Sequence, residues 1–234
     1  MKRLSGLIAF AAAVVAAPPL AAQEARLSLE AYLIADRDSE IALARSAAPE
    51  AISRDATILV LGHRGFEAAV KGSNGFVCLV ERSWLGPFDF PDMWNPRIRG
   101  AQCLNPQAAR SMLPLIKKRT AMYLDGLTTA QMIAAMKALI AKREFPALEP
   151  GAMAYMMSRA AYLFDHGDHN GSHLMFYVPV ARPQDWGVGA EHSPVVASAS
   201  YWFMRPNVES AHFPPLVIYA IPVSQWSDGS PISR

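Results

Sequence analysis

Nine residues, Asp165-His166-Gly167-Asp168-His169-Asn170-Gly171-Ser172-His173, hold three of the chain's six histidines and two aspartates. Imidazole and carboxylate are ligands for zinc, copper or iron, and three converging ligands with one open position make a hydrolytic or redox site. His166 and His169 are close enough for one loop to turn both onto a single ion, and His173 opens an apolar run that can complete the set. Asp165 or Asp168 would then act as a further ligand or as the base for a metal-bound water. A divalent metal is the cofactor such a segment would take. The spacing matches no known metal signature, however, and Asp168 to Ser172 also reads as a turn built around Asn170-Gly171.

Other chemistry is thinner. Eleven methionines, with Met153, Met156 and Met157 close together and Met175 after the histidines, suit Cu(I), but methionine also fills irregular cores. There is no Gly-x-Ser-x-Gly elbow, no phosphate-cradling glycine loop, no Cys-x-x-Cys pair and no dinucleotide fingerprint. Between Ser83 and Pro106 the aromatics Trp84, Phe88, Phe90 and Trp94 stand among prolines. They form either a binding surface for a partner or a loop packed over the sheet, because so much apolar area must be covered by something.

The N-terminus decides where this chemistry would operate. Lys2 and Arg3, the uncharged apolar run Leu7 to Ala17, and the small residues Ala21 and Ala22 have the layout of a cleavable signal peptide over residues 1–22. The run is shorter than the roughly 20 residues that span a bilayer. Export to the periplasm or the exterior is therefore expected, with no transmembrane segment in the mature chain and, without a cysteine near the cut, no lipid anchor. Removal of Lys2 and Arg3 from 22 basic residues leaves 20 against 20 acidic, so the mature chain is formally neutral. A nucleic-acid partner is not expected of it. In an oxidising compartment Cys78 and Cys103 are expected to form a disulfide; two buried free thiols are the alternative, and no catalytic cysteine context is recognisable.

The elements that must position these residues follow from periodicity. A helix is expected within Leu27 to Ala48, ending before Pro49. Thr57 to Leu61, Phe66 to Lys71 and Phe76 to Arg82, separated by Gly62-His63-Arg64-Gly65 and Gly72-Ser73-Asn74-Gly75, predict a three-stranded antiparallel meander. Cys78 and Val80 should face one side, and Val77, Leu79 and Glu81 the other. Asn105-Pro106 starts a helix that runs to about Asp125, kinks at Pro114 and exposes Lys117, Lys118 and Arg119. Thr128 with Gln131 predicts a capping box for the next helix, and the two helices form a hairpin packed on the sheet. Ala152 to Ser158, Leu174 to Val180, Val195 to Phe203 and Leu216 to Val223 read as strands. The expectation is a single α+β domain over residues 23–234, with a mainly antiparallel sheet of about seven strands, the helical hairpin and one further N-terminal helix.

Asn74-Gly75-Phe76-Val77-Cys78, Asn95-Pro96-Arg97-Ile98-Arg99-Gly100, Gly151-Ala152-Met153 and His173-Leu174-Met175-Phe176 are similar to segments of a family of bacterial exported proteins with no assigned function. The resemblance covers most of the mature chain and brings no activity, substrate or ligand. Two function classes follow from the residues themselves. One is an exported soluble binding or interaction module, using the aromatic loop or the histidine loop. The other is a metal-dependent hydrolase centred on residues 165–173.

Overall fold

A computed structural model describes residues 26–86, 88, 92–163, 171–179, 183–198 and 216–232. The proposed signal peptide and residues 164–170 lie outside that set. Among the described residues the fold is α+β: an eight-stranded sheet, mostly antiparallel, with helices on both faces. The strands are β1 Thr57–Gly62, β2 Gly65–Val70, β3 Val77–Glu81, β4 Gly100–Leu104, β5 Met153–Met156, β6 His173–Pro179, β7 Val196–Ser198 and β8 Leu216–Pro222. Their spatial order is β2-β1-β3-β4-β5-β6-β8-β7.

Two expectations need correction. First, β1 and β2 form the antiparallel hairpin, but β3 crosses back and pairs with β1 in parallel, Ile58 opposite Cys78. The return is held by backbone contacts that no local pattern announces: the Ser73 N–H donates to the Asp55 carbonyl at 2.9 Å, and the Gly72 N–H to Thr57 Oγ1 at 3.1 Å. Gly72 lies so tightly against the backbone of residues 55–57 that a Cβ there would overlap it. Second, the Ser83 to Pro106 stretch, read as a loop without a strand, contains β4, which pairs with both β3 and β5 and is buried along its whole length. Its register sets Cys103 opposite Cys78, and the two form the expected disulfide.

The helices are α1 Arg37–Arg45, α2 Glu50–Ser53, α3 Pro106–Ser111, α4 Leu113–Leu124 and α5 Thr129–Ala141. The N-terminal helix expected within Leu27 to Ala48 is α1, preceded by a single 3-10 turn, Leu29–Ala31. Asp36 starts α1 late because its carboxylate accepts the Ser39 N–H at 2.9 Å. Asn105 caps α3 by accepting the Ala108 N–H, and its amide also donates to the Gly151 carbonyl, tying β4, α3 and β5 together. Pro114 cannot donate to a preceding carbonyl, so the expected kinked helix is two helices with the break at Met112. The Thr128 and Gln131 capping box of α5 is present in both directions.

Alternation along β3 divides the core. Leu79 joins the apolar cluster under α4 and α5, with Trp84, Leu104, Ile116, Tyr123, Met132 and Met136. Cys78, Val80, Ala101 and Cys103 join the cluster under α1, with Ala44, Ala47 and Ile58.

Candidate functional site

Glu81 ends β3 and Arg82 follows it, and their side chains leave on opposite faces of the sheet. On the α1 face Arg82 meets Glu40 at 2.8 Å, with both side chains essentially out of solvent. Arg82 Nε donates to the Tyr32 carbonyl at 2.7 Å, and Glu40 Oε1 also accepts the Leu61 N–H at 3.1 Å. Burial lowers the Arg82 guanidinium, and the Glu40 charge opposes that change. Every group of this centre is tied to the framework that it joins.

On the α4 face Glu81 belongs to a looser centre. Gln102 of β4 is fully buried and donates its amide to Glu81 Oε1, and Tyr177 of β6 donates to Gln102 Oε1 at 3.4 Å. Arg119 of α4, fully buried, donates to the Leu85 and Gly86 carbonyls at 3.2 and 2.8 Å and lies 4.1 Å over the Phe88 ring. Four elements thus bring a carboxyl, an amide, a phenol and a guanidinium to one corner. Burial pushes the Glu81 carboxyl up to about 8, against the lowering effects of Arg119 and then the Gln102 hydrogen bond. Burial raises the Tyr177 hydroxyl as well, and the Glu81 charge adds to the rise. Arg119 is lowered by burial to about 9, with Glu81 opposing, and so stays a cation at neutral pH. Glu81 as a residue is only half-buried. A carboxyl that exchanges protons near neutral pH beside a fixed cation can give or take a proton, or donate a hydrogen bond to a ligand oxygen.

Arg119 corrects the expected solvated face of Lys117, Lys118 and Arg119. Successive helical residues turn by about 100°, so three in a row sweep about 200° and the third can reach the packed side. Lys117 and Lys118 are exposed, whereas Arg119 follows Leu115 and Ile116 by one turn and shares their buried side.

The residues singled out for metal chemistry are only partly described. Asp165, His166, Asp168 and His169 lie outside the described residues. His173 opens β6, and its Nδ1 lies 2.7 Å from the Gly171 carbonyl. A carbonyl only accepts, so Nδ1 carries the hydrogen and the neutral ring keeps its lone pair on Nε2. Burial lowers the His173 pKa, and the Gly171 hydrogen bond works against this. Among the described residues no three His, Cys, Asp or Glu side chains converge as a metal site.

The aromatic loop is placed inward. Trp84 is fully buried and stacks on Tyr123 with centroids 3.8 Å apart, while Tyr32 meets both rings edge-on. Trp84 Nε1 also donates to Thr120 Oγ1. Phe88 is buried beneath Arg119, Trp94 is half-buried against the same cluster, and Phe90 lies outside the described residues. Trp84 and Phe88 therefore offer no exposed ring to a partner.

A separate cavity of about 430 Å³ lies between residues 26–29, His63 and the end of α4. Among its lining residues Arg26 donates to the Leu127 carbonyl and covers the Tyr123 ring, and His63 faces Glu30 at 3.5 Å. No helix among the described residues is long and apolar enough to cross a membrane. No protein-family model, curated protein or solved structure matches the chain.

Proposed function

We propose that the chain is exported with cleavage after Ala22, as its resemblance to bacterial exported proteins also suggests, and that the mature protein binds a small polar ligand at the Glu81 corner. The observation that carries this reading is the contrast within one dipeptide. Arg82 is closed off by Glu40 and backbone carbonyls, while Glu81, a half-buried residue, meets Gln102 and lies within the electrostatic reach of Arg119 and Tyr177. Buried polar groups are costly where apolar packing would do, and a cluster open on one side is a natural place for a ligand to complete it. At neutral pH the protonated carboxyl and the guanidinium are donors, while the Tyr177 hydrogen is engaged by Gln102, so the ligand should be rich in oxygen acceptors, such as a small carboxylate or amide.

The disulfide and the lack of a membrane-crossing helix among the described residues are compatible with an exported soluble product. N-terminal sequencing of the protein recovered from the host tests export: a first residue at Gln23 is expected, and an intact Met1 would refute cleavage. Binding is tested by following the Gln102 side-chain amide resonance during titration with small carboxylates and amides. Movement that disappears in Glu81→Ala is expected; a resonance that no compound moves would remove this reading.

A second reading, the metal-dependent hydrolase of residues 165–173, draws on the same corner. A Cβ built on Gly100 would meet Leu163 Cδ2 at 2.9 Å, Glu81 Cβ at 3.4 Å and Met156 Cε at 3.7 Å. His173 is the cross-strand partner of Met156, so the residues bracketing the His/Asp-rich segment stand on the Glu81 face. In this reading Asp165, His166, Asp168, His169 and His173 supply the ligands and Glu81 handles the proton of a bound water. Elemental analysis should then find a stoichiometric divalent metal that His169→Ala removes, and protein purified without bound metal would eliminate it.

A further inference from the structure

The mature chain's neutrality conceals a strong separation of charge. Residues 106–143, which form α3 to α5, carry seven basic side chains and one acid, Asp125, whereas residues 144–234 carry eight acids and four bases. One of the seven, Arg119, is buried, and Arg110 pairs with Glu149 at 2.7 Å. Lys117 and Lys118 on α4 and Lys142 and Arg143 after α5 are exposed, and Lys137 is half-buried. The β1 to β2 turn adds exposed Arg64, because Gly65 packs beside Leu124 and Thr120 of α4. The nearby acids are few: Asp125 and Glu144 are exposed, Glu30 faces His63, and Glu67 of β2 pairs with Arg37.

We propose that the outer side of the α4 and α5 hairpin, with Arg64, is a cationic surface that seats against anionic lipid headgroups. The shape of the surface favours a membrane over a nucleic acid. The outward positions of α5 are Ala130, Ala134, Ala138 and Ala141, all exposed and short, so the longer side chains of Lys137 and Lys142 beside that stripe are not screened by bulky neighbours on it. The one aromatic ring within α3 to α5, Tyr123, is buried, so the helices present nothing on which a base could stack. Attraction of this kind extends over about one Debye length, near 8 Å at physiological salt, and therefore depends on the local cluster and hardly on the zero net charge of the chain.

The test is co-sedimentation of the processed protein with vesicles of neutral phosphatidylcholine, with and without about one third phosphatidylglycerol. Binding is expected only to the anionic vesicles and should fall as salt is raised. Lys117→Gln with Lys118→Gln should weaken it by about thirtyfold, because each lysine near a charged membrane contributes roughly fivefold. Arg54→Gln, an exposed cation on another part of the molecule, should leave it unchanged. Circular dichroism of each variant checks the fold. Equal binding to neutral vesicles, an unweakened lysine variant, or no vesicle binding would each overturn the proposal, as would binding to a DNA duplex in the absence of vesicle binding.

Discussion

Two buried charge centres lie back to back across the end of β3, and they are built to different standards. The Arg82 and Glu40 centre is complete: the ion pair at 2.8 Å is supplemented by the Tyr32 carbonyl and the Leu61 N–H. The Glu81 and Arg119 centre is diffuse. Arg119 Nη1 donates to carbonyls of the Leu85 and Gly86 turn, Glu81 is reached by Gln102, and the charges of Glu81 and Arg119 shift one another's titration. A pair enclosed on all sides fixes geometry, whereas a carboxyl held near its titration point can change state. The first therefore belongs to stability and the second is free to serve function.

Removing one partner should separate the two most sharply. Glu40→Ala strips Arg82 of its buried counter-ion and leaves the Leu61 N–H unpaired, for an expected loss of about 3–5 kcal/mol in a urea melt. Replacing both partners, Glu40→Leu with Arg82→Met, should recover most of that loss, since the penalty comes from the orphaned charge more than from the absent bond. A double variant as unstable as the single one would show that the centre is held by something other than charge pairing.

The disulfide is the next lever, because Cys78 and Cys103 lie on the α1 side, with the closed centre. Replacing both cysteines with alanine releases a loop of 25 residues and should cost about 3 kcal/mol in the chain-entropy model. The loss should leave the pH dependence contributed by Glu81 intact, since that carboxyl lies on the opposite face. A flattened pH profile in the double alanine variant would mean that the two faces are mechanically coupled.

The legible and illegible parts of the molecule divide along the same line. The disulfide, the Asn105 start, the Thr128 capping box and the split of β3 into Cys78 and Val80 against Leu79 and Glu81 all follow from local residue types, and the structure contains them. The parallel pairing of β3 with β1 depends on hydrogen bonds to residues about 18 positions away, such as Ser73 to Asp55, and no local turn pattern encodes it. β4 was hidden because Gly100, Ala101 and Gln102 have weak strand propensity; burial on both faces overrides that preference. The Glu81 corner was hidden by Arg119, which ends a basic run that looks solvated. The signal was nevertheless present in its spacing of three and four residues from Ile116 and Leu115.

The last expected effect is the one that varies with pH, and it is the most diagnostic. Glu81 has a folded-state pKa of about 8 against an ordinary value of 4.5, so the folded protein holds a proton that the unfolded chain releases. The stability associated with that proton is fully present below the ordinary value and is lost as pH rises through about 8, to an extent on the order of a few kcal/mol. Glu81→Gln replaces the protonated carboxyl with a neutral group of the same shape. It should therefore change little at acid pH and make the protein more stable than the parent above pH 8, so the difference between the two melts should open across that interval. Gln102 would then face an amide, whose carbonyl oxygen can still accept its hydrogen bond. Parallel stability curves for parent and variant from about pH 5 to about pH 9 would show that Glu81 titrates like an exposed carboxylate, and the distinction between a closed centre and an open one would go with it.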